Sequence, residues 1–444
     1  MVERYLSEGG RVYDHVRCLS VDIGSRSIGS RGEKEAADYI YSYLKGLNLE
    51  VWKQTFDAET ALLRDCRIEI LEPPLGEITC APILLTPDTP PEGVTGEIVF
   101  VEGSERPSLG PHVRGKIMFW ACSSREEFNW ATVAKYQPLA VIAIWPGLGL
   151  KPKHYQMSPR MFHPYEPVTS FWITWEDGLR IFKAEAKKAR VCLHSKHCTS
   201  TSVNIIAEVK GETYPNEIIV IGGHYDSPPG VPGAFDNASG VAMVMELARL
   251  YSQRGSKRTL RFVAFGGEEG GLLGSQRYVT QLKEQRGKGV DSLSDHLFCL
   301  NLDGLGIALG TNSCYVLGPP EIGDTVKTLG EELGIPHIVK EDIDFSDNLP
   351  FAWNGVPNIS LTREGAGAEF IHTVEDTIEL IDIEQLQQAS QFIDALLAQT
   401  AARAELWPFK RQIPPKMLDK VRETQRKWEL TQQKDQQSAG RVEI

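Results

Sequence analysis

The stretch from Glu217 to Val279 limits what this chain can fold into more than any other. An apolar run, Ile218 to Ile221, stops at a Gly pair and then presents His224 and Asp226. After a Pro- and Gly-rich turn, Asp236 opens a segment whose apolar side includes Val241, Val244, Met245 and Leu247, a helix face. A second apolar run, Leu260 to Phe265, stops at another Gly pair and presents Glu268 and Glu269. Strands alternating with helices predict a mainly parallel sheet covered on both faces. In open α/β sheets, ligands bind in the crevice outside the carboxyl ends of the strands. The histidine and the acids stand at those ends, so the stretch reads as an active site.

The alternation continues on both sides. VNIIAEV precedes it. After it come a helix near Gly274–Gln285, LFCLNLDGLG, CYVLG, the helix PEIGDTVKTLGEELG, VPNISLTRE and a last helix, IEQLQQASQFIDALLAQTAARAEL. Near the start, SRGEKEAADYIYSYLKG has a helical apolar spacing that Gly46 ends, and LEVWKQTF alternates as a strand. Between Thr60 and Thr201 the texture changes to short β-type runs (CRIEILEP, GEIVFVEG, GKIMFWAC, LAVIAIWPG) separated by Pro- and Gly-rich turns. A short helix, WEDGLRIFKAEAKKA, and a closing strand, ARVCLHS, follow. Residues 1–60 cannot easily bury a core alone, so their helix and strand join the α/β domain across the β-rich module. The expected organisation is an α/β domain from 1–62 and 200–405, an inserted β-rich module at 63–199, and a charged, partly helical tail at 406–444.

Of the 444 residues 41% are hydrophobic and 24% charged, as in soluble globular proteins. The net charge, 47 − 59 = −12, and the lack of a basic run argue against a nucleic-acid partner. No stretch approaches the roughly eighteen apolar residues of a membrane span, and residues 1–30 lack the apolar run of a signal peptide. The expectation is a soluble cytoplasmic protein, with a trimmed secreted form as the alternative, no membrane partner, and room for a homo-oligomer. The eight cysteines are dispersed without a C-x-x-C pair, so neither a zinc knuckle nor a redox motif is suggested. Cys192 and Cys198 flank His194 and His197, but that spacing fits no common zinc motif. The aromatic loop KPKHYQMSPRMFHPYEP reads as a segment packed over something rather than as ligands.

The strand-end ligands, in order, are His224, Asp236, Glu268 and Glu269, Asp303, and His372. Imidazole nitrogen and carboxylate oxygen at about 2.0–2.2 Å are donors that Zn²⁺ accepts. Two histidines are too few for a His₃ site, and the surplus of carboxylates suggests two ions sharing one of them. Such a pair, about 3.5–4 Å apart, polarises a carbonyl and generates hydroxide at neutral pH. Each residue has a bland alternative: Asp303 as a cap, His372 as a surface histidine, Glu268 and Glu269 as a solvated pair. Six of suitable type at consecutive strand ends make coincidence improbable.

Five motifs, GGHYDS, AFDNASG, GGEEGGLLGS, NLDGLG and FIHTVEDT, occur in the order that resembles the co-catalytic di-zinc exopeptidases. That family includes bacterial leucyl aminopeptidases, aminopeptidase S and glutamate carboxypeptidase relatives. The resemblance covers most of residues 20–60 and 202–400, and GSRSIGSRGEKEAADYI is similar to the family's N-terminal entry. The insertion resembles a protease-associated domain. The resemblance implies two Zn²⁺, with Co²⁺ or Mn²⁺ accepting the same ligands. It implies that Asp236 bridges them, that His224 and Asp303 complete one shell, and that Glu269 and His372 complete the other. Glu268 would be the general base, and Asp226 would accept from the His224 imidazole and fix its tautomer. A cis peptide is implied at Asp236–Asn237. Where family members often read Ser-Asp-His-x-Pro-Phe, this chain has Asn348 in place of the His, which puts substrate preference in doubt but leaves the six site positions intact.

The function expected is an aminopeptidase that removes N-terminal residues from peptides. A carboxypeptidase or dipeptidase of the same family is the alternative, and would use a cation such as Arg363 for the substrate's terminal carboxylate. A glutaminyl-cyclase-like reaction fits less well, since such relatives use a single zinc. A non-catalytic binding protein, working through the inserted module, would need the intact ligand set to be vestigial.

Overall fold

In the computed structural model, residues 8–103, 108–121, 130–147, 151–157, 162, 164–284 and 292–426 are described. Residues 158–161 and 163 of the aromatic loop, and the tail from 427 onward, lie outside them. The chain divides into two compact units. The first comprises Met1–Ala58, Ser200–Ile371 and Asp376–Arg426; the second comprises Glu59–Thr199 and His372–Glu375, together with Lys427–Ile444. Two long strands, Glu50–Glu72 and Lys188–Val209, carry the chain across the division. The alternating LEVWKQTF run therefore does not stop near Thr60 but continues without a break to Glu72.

The first unit is built on a mixed sheet. The strand Tyr214–His224 lies at its centre, parallel to Arg258–Phe265 on one side and to His296–Leu302 on the other. The sheet continues from His296–Leu302 to Asn358–Gly365, which runs parallel, and then to Gly310–Leu317, which runs antiparallel. Beyond Arg258–Phe265, the end of the long strand closes the sheet antiparallel, with Val209 opposite Leu260. Every residue of Arg258–Phe265 is buried, as for a strand covered on both faces. The helix Ser239–Arg254 is buried along most of its length and contributes Met243, Met245 and Leu247 to the main core.

Local rules set the boundaries. The helix Arg31–Gly46 starts where the Ser30 side chain accepts from the Glu33 amide, while Glu33 reaches back to the Gly29 amide at 2.6 Å. This is close to the reciprocal capping-box arrangement. Glycine at 240 has a packing reason. A Cβ there would meet the Leu302 carbonyl oxygen at 2.2 Å, so helix and strand approach as closely as backbones allow.

Of two further features, the first escaped the sequence reading, whereas the second, a partly helical segment after residue 405, was expected. A helix over Glu8–Arg17 puts Val12 and Val16 into the main core. The segment after Leu406 is a packing arm as far as it is described: Ile413, Met417 and Val421 are buried against Leu272, Leu317 and Leu349. Among the described residues, no helix is long and apolar enough to cross a membrane.

The second unit has its own sheet, in which Val94–Glu102, Ile117–Ala121, Ala140–Ile144 and Ser170–Ile173 are parallel neighbours. Ala81–Leu84 continues it antiparallel. Its centre is aromatic: Trp120, Trp130, Phe162 and Trp172 share one core.

Candidate metal centre

The register of the central strands brings the named acids to one rim. His224 pairs with Phe265, so Glu268 and Glu269 follow three and four residues past that level. Gly222 pairs with Asn301, so Asp303 comes level with His224 on the other side. Three adjacent parallel strands thus end beside one another, where the sheet rule places a ligand. Asp236 reaches the same rim from the turn before the Ser239–Arg254 helix.

His224 is the hub. Its Nε2 lies 3.2 Å from Asp236 Oδ1 and 3.5 Å from Asp303 Oδ1. Ligand atoms of His224, Asp236 and Asp303 lie within 4.8 Å of one another, as do those of His224, Glu268 and Glu269. The opposite nitrogen, Nδ1, is 3.2 Å from the Asp226 main-chain oxygen. A carbonyl only accepts, so Nδ1 donates, which leaves Nε2 facing the carboxylates as the nitrogen a metal would take.

Asp226 therefore orients the imidazole mainly through its backbone, with its carboxylate further off, at 3.6 Å from Nδ1. That carboxylate has another task. Oδ1 accepts from the Glu268 amide at 3.1 Å and Oδ2 from the Glu269 amide at 3.2 Å. One buried acid thus fixes the turn that presents both glutamates.

Asp236 is fixed in a similar way by a residue that the sequence reading did not single out. Both oxygens of Asp376 accept main-chain amides, from Phe235 at 2.8 Å and from Asp236 at 3.0 Å. The Asp236–Asn237 peptide is cis, as the resemblance implied. The Asn237 side chain donates to the Leu302 carbonyl and accepts from the Gly240 and Gly304 amides. Asp303 is held by the Ser346 hydroxyl at 2.5 Å, which in turn accepts from Asn301. Asn348, the departure from the family pattern, is buried and donates to Asn358.

Arg26, from the GSRSIGSRG loop, lies fully buried among the same acids. Its guanidinium donates to the carbonyls of Tyr225, Leu19, Gly24, Pro232 and Gly233. The segment leading to Asp236 is thereby tied to the N-terminal loop. Neither Arg26 nor Asp376 stood out beforehand, because each works through main-chain groups far away in sequence.

His372 belongs to the four-residue segment grouped with the second unit. Within that unit its carbonyl accepts from the His154 amide at 2.6 Å, and its ring stands edge-on to Tyr155 with centroids 4.6 Å apart. This is what the described part of the aromatic loop packs against. Its φ of 61° is in the left-handed region that non-glycine residues seldom adopt. Four residues on, Asp376 is back in the first unit.

The electrostatics are those of a site built around positive charge. Burial, and then the neighbouring carboxylates Asp347, Asp303 and Asp236, push the Glu268 carboxyl well up against the opposing pull of His224. Burial, Asp236 and Glu268 do the same to Glu269. Burial alone would lower His224, but Asp303, Asp226 and Asp236 together hold it well above the ordinary imidazole value. Burial also raises Asp347 and Asp376, each to about 7. Crowded, desolvated carboxylates around one imidazole are costly without a cation, and the oxygen and nitrogen donors are those a divalent metal accepts. The donor set fits zinc.

The second cluster weighed from sequence resolves differently. Cys192 and His194 do come together, but with Asp65 rather than with Cys198 and His197. Arg363, the proposed carboxylate receptor, is mostly buried and donates to the Ile307 carbonyl at 2.6 Å and to Asn312 Oδ1 at 2.7 Å. Two acids near it in sequence are engaged elsewhere: Glu364 accepts from Lys340, Tyr315 and Ser313, and Asp376 from the two amides above.

Residues 204–397 match the family model of Peptidase family M28. Aminopeptidase YwaD of Bacillus subtilis is 28% identical over 424 residues, covering 92% of this chain and 88% of that protein. Carboxypeptidase Q of Bos taurus is 25% identical over 410 residues, covering 86% of this chain and 83% of that one. Among solved structures, a zinc aminopeptidase from Bacillus subtilis superposes with a TM-score of 0.73 at 26% identity, covering 91% of this chain and 98% of that one. The matched span holds the His224, Asp236, Glu268, Glu269 and Asp303 rim, and over these residues the chain is similar to Peptidase family M28.

Proposed function

We propose that the protein is a zinc-dependent aminopeptidase that removes N-terminal residues from peptides. The observation that carries this reading is the convergence of His224, Asp236 and Asp303 beside Glu268 and Glu269 at the ends of three adjacent strands. The resemblance to YwaD and to the zinc aminopeptidase from Bacillus subtilis supports the choice of substrate end.

In this reading His224 and Asp303 would hold one ion and Glu269 and His372 a second, with Asp236 able to serve both. Co²⁺ and Mn²⁺ accept the same ligands. Bound zinc polarises a carbonyl and makes water a nucleophile near neutral pH. The chain supplies the rest. Glu268 takes the proton of the attacking water on its carboxylate and delivers it to the departing amine nitrogen. Burial and neighbouring acids, which raise Glu268, suit a group that must both accept and release a proton. Asp226 keeps Glu268 in place through its amide, and Asp376 does the same for Asp236.

The carboxypeptidase or dipeptidase alternative draws support from carboxypeptidase Q. It is weakened by Arg363, whose guanidinium is already spent on Ile307 and Asn312. The test compares free-amine aminoacyl anilides with N-blocked peptides bearing free C-termini, using metal-stripped and zinc-loaded protein. Zinc-dependent cleavage of the free-amine set alone is expected. Cleavage of the blocked set alone would reverse the assignment.

A further inference from the structure

Cys66 and Cys80, fourteen positions apart in sequence, meet in the second unit with their sulfurs at 3.5 Å. Strand pairing explains this. Glu50–Glu72 and Gly76–Ile78 are antiparallel, with Ile68 opposite Ile78 and Ile70 opposite Gly76. Carried two residues further, that register sets Cys66 opposite Cys80. Opposite residues of an antiparallel pair have Cα atoms about 4.5–5.5 Å apart. A disulfide spans about 4.4–6.8 Å, so the backbone need not move to close one. Both thiols are partly exposed, in contrast to the buried Cys299 and Cys314.

A metal reading of the same corner fails on its own geometry. Asp65, Cys192 and His194 present three donors, but Arg67 already supplies a cation there. Its Nη2 lies 2.8 Å from Asp65 Oδ2 and 3.9 Å from the Cys192 sulfur.

We propose that Cys66 and Cys80 form a reversible dithiol–disulfide site that reacts with low-molecular-weight disulfides. The Cys80 thiolate attacks one sulfur of RSSR, giving a mixed disulfide and RS⁻, which takes the proton Cys80 has lost. The Cys66 sulfur then attacks the Cys80 sulfur and expels the second RS⁻, which takes the Cys66 proton. Two protein thiols are oxidised and RSSR is reduced to two RSH. Donation of a hydrogen bond to Cys80, together with burial, pushes the Cys66 thiol up, which gives the first attack to Cys80. Closure links the two arms of the hairpin and restricts the unfolded chain over a loop of about fifteen residues, so oxidation stabilises the unit that contains it.

The experiment treats the full chain with excess oxidised glutathione, blocks the remaining thiols with iodoacetamide, digests and weighs the peptides. The expected product is a Cys66–Cys80 linked peptide pair that dithiothreitol releases, with Cys299 and Cys314 appearing as free thiols. Cys66→Ser is expected to retain glutathione on Cys80, because the second displacement is lost. The proposal is overturned if Cys66 and Cys80 of the wild-type chain are both blocked by iodoacetamide after oxidation, if either is linked to Cys192, or if Cys66→Ser carries no adduct.

Discussion

Replacing Arg26 with methionine removes a buried cation and leaves five carbonyl oxygens without their donor, those of Tyr225, Leu19, Gly24, Pro232 and Gly233. Hydrogen bonds from a charged donor contribute about 1.5–3 kcal/mol each, so five would sum to roughly 7–15 kcal/mol if nothing relaxed. The loop does relax, and methionine fills part of the space. Breaking a buried charged arrangement by removing one partner costs about 3–5 kcal/mol, and that is the loss expected here. Burial lowers Arg26 to about 10 against the opposing pull of Asp376, Asp226, Asp236 and Glu269, so the side chain is charged at neutral pH. Arg26→Lys keeps the charge but has three donors in place of a planar fork of five, so it should recover less than half of the loss. Urea unfolding of the first cooperative transition, followed by tryptophan fluorescence, measures the difference. If Arg26→Met lies within about 0.5 kcal/mol of wild type, the range of ordinary surface changes, the buried fork does not hold the 225–233 segment.

Glu268→Gln preserves shape and should lower kcat by about 10²–10⁴ at unchanged zinc content, whereas wild-type turnover in the loaded variant would remove Glu268 from the base role. His15, buried against Tyr39 and Tyr43, is lowered to about 4, mainly by burial. Above pH ~6.5 it is neutral in folded and unfolded chains alike, and below that the unfolded chain takes a proton that the folded one refuses. Stability should therefore fall by about 3 kcal/mol as pH drops from ~6.5 to ~4, and His15→Gln should flatten that slope in urea titrations at successive pH values. Gly240→Ala drives a Cβ to 2.2 Å from the Leu302 carbonyl. An overpacking loss of about 1–3 kcal/mol with reduced zinc affinity is expected, and an unchanged unfolding midpoint would mean that helix and strand separate freely.

The rim of acids is legible because each rim residue follows an apolar strand or opens a helix, and such ends are marked by composition within a few residues. His224 after Ile218–Ile221 and Glu268 after Leu260–Phe265 are of this kind. What the sequence concealed are partners whose meaning depends on distant main-chain atoms. Asp376 serves amides 140 and 141 residues away, and Arg26 serves carbonyls up to 207 away. No local pattern encodes such a bond. An acid two residues from a histidine suggests a side-chain pair, while here two turn amides claim the Asp226 carboxylate. Cys66 and Cys80 are hidden for a related reason: C-x-x-C is the redox pattern a sequence displays, whereas strand register brings these two together across a hairpin.

The bond from Asp376 to the Asp236 amide also orders events in time. The rim residues from His224 to Asp303 come from the ends of three parallel-paired strands and from the turn at Asp236, and the placement of that turn waits on a carboxylate from the last quarter of the chain. Contacts of such long sequence separation form late, since the closure of large loops precedes any gain from them. A nascent or truncated chain ending before Asp376 would hold the acids in sequence but not in position. During refolding, zinc uptake should therefore trail the recovery of helical signal and coincide with the final docking of the C-terminal segment.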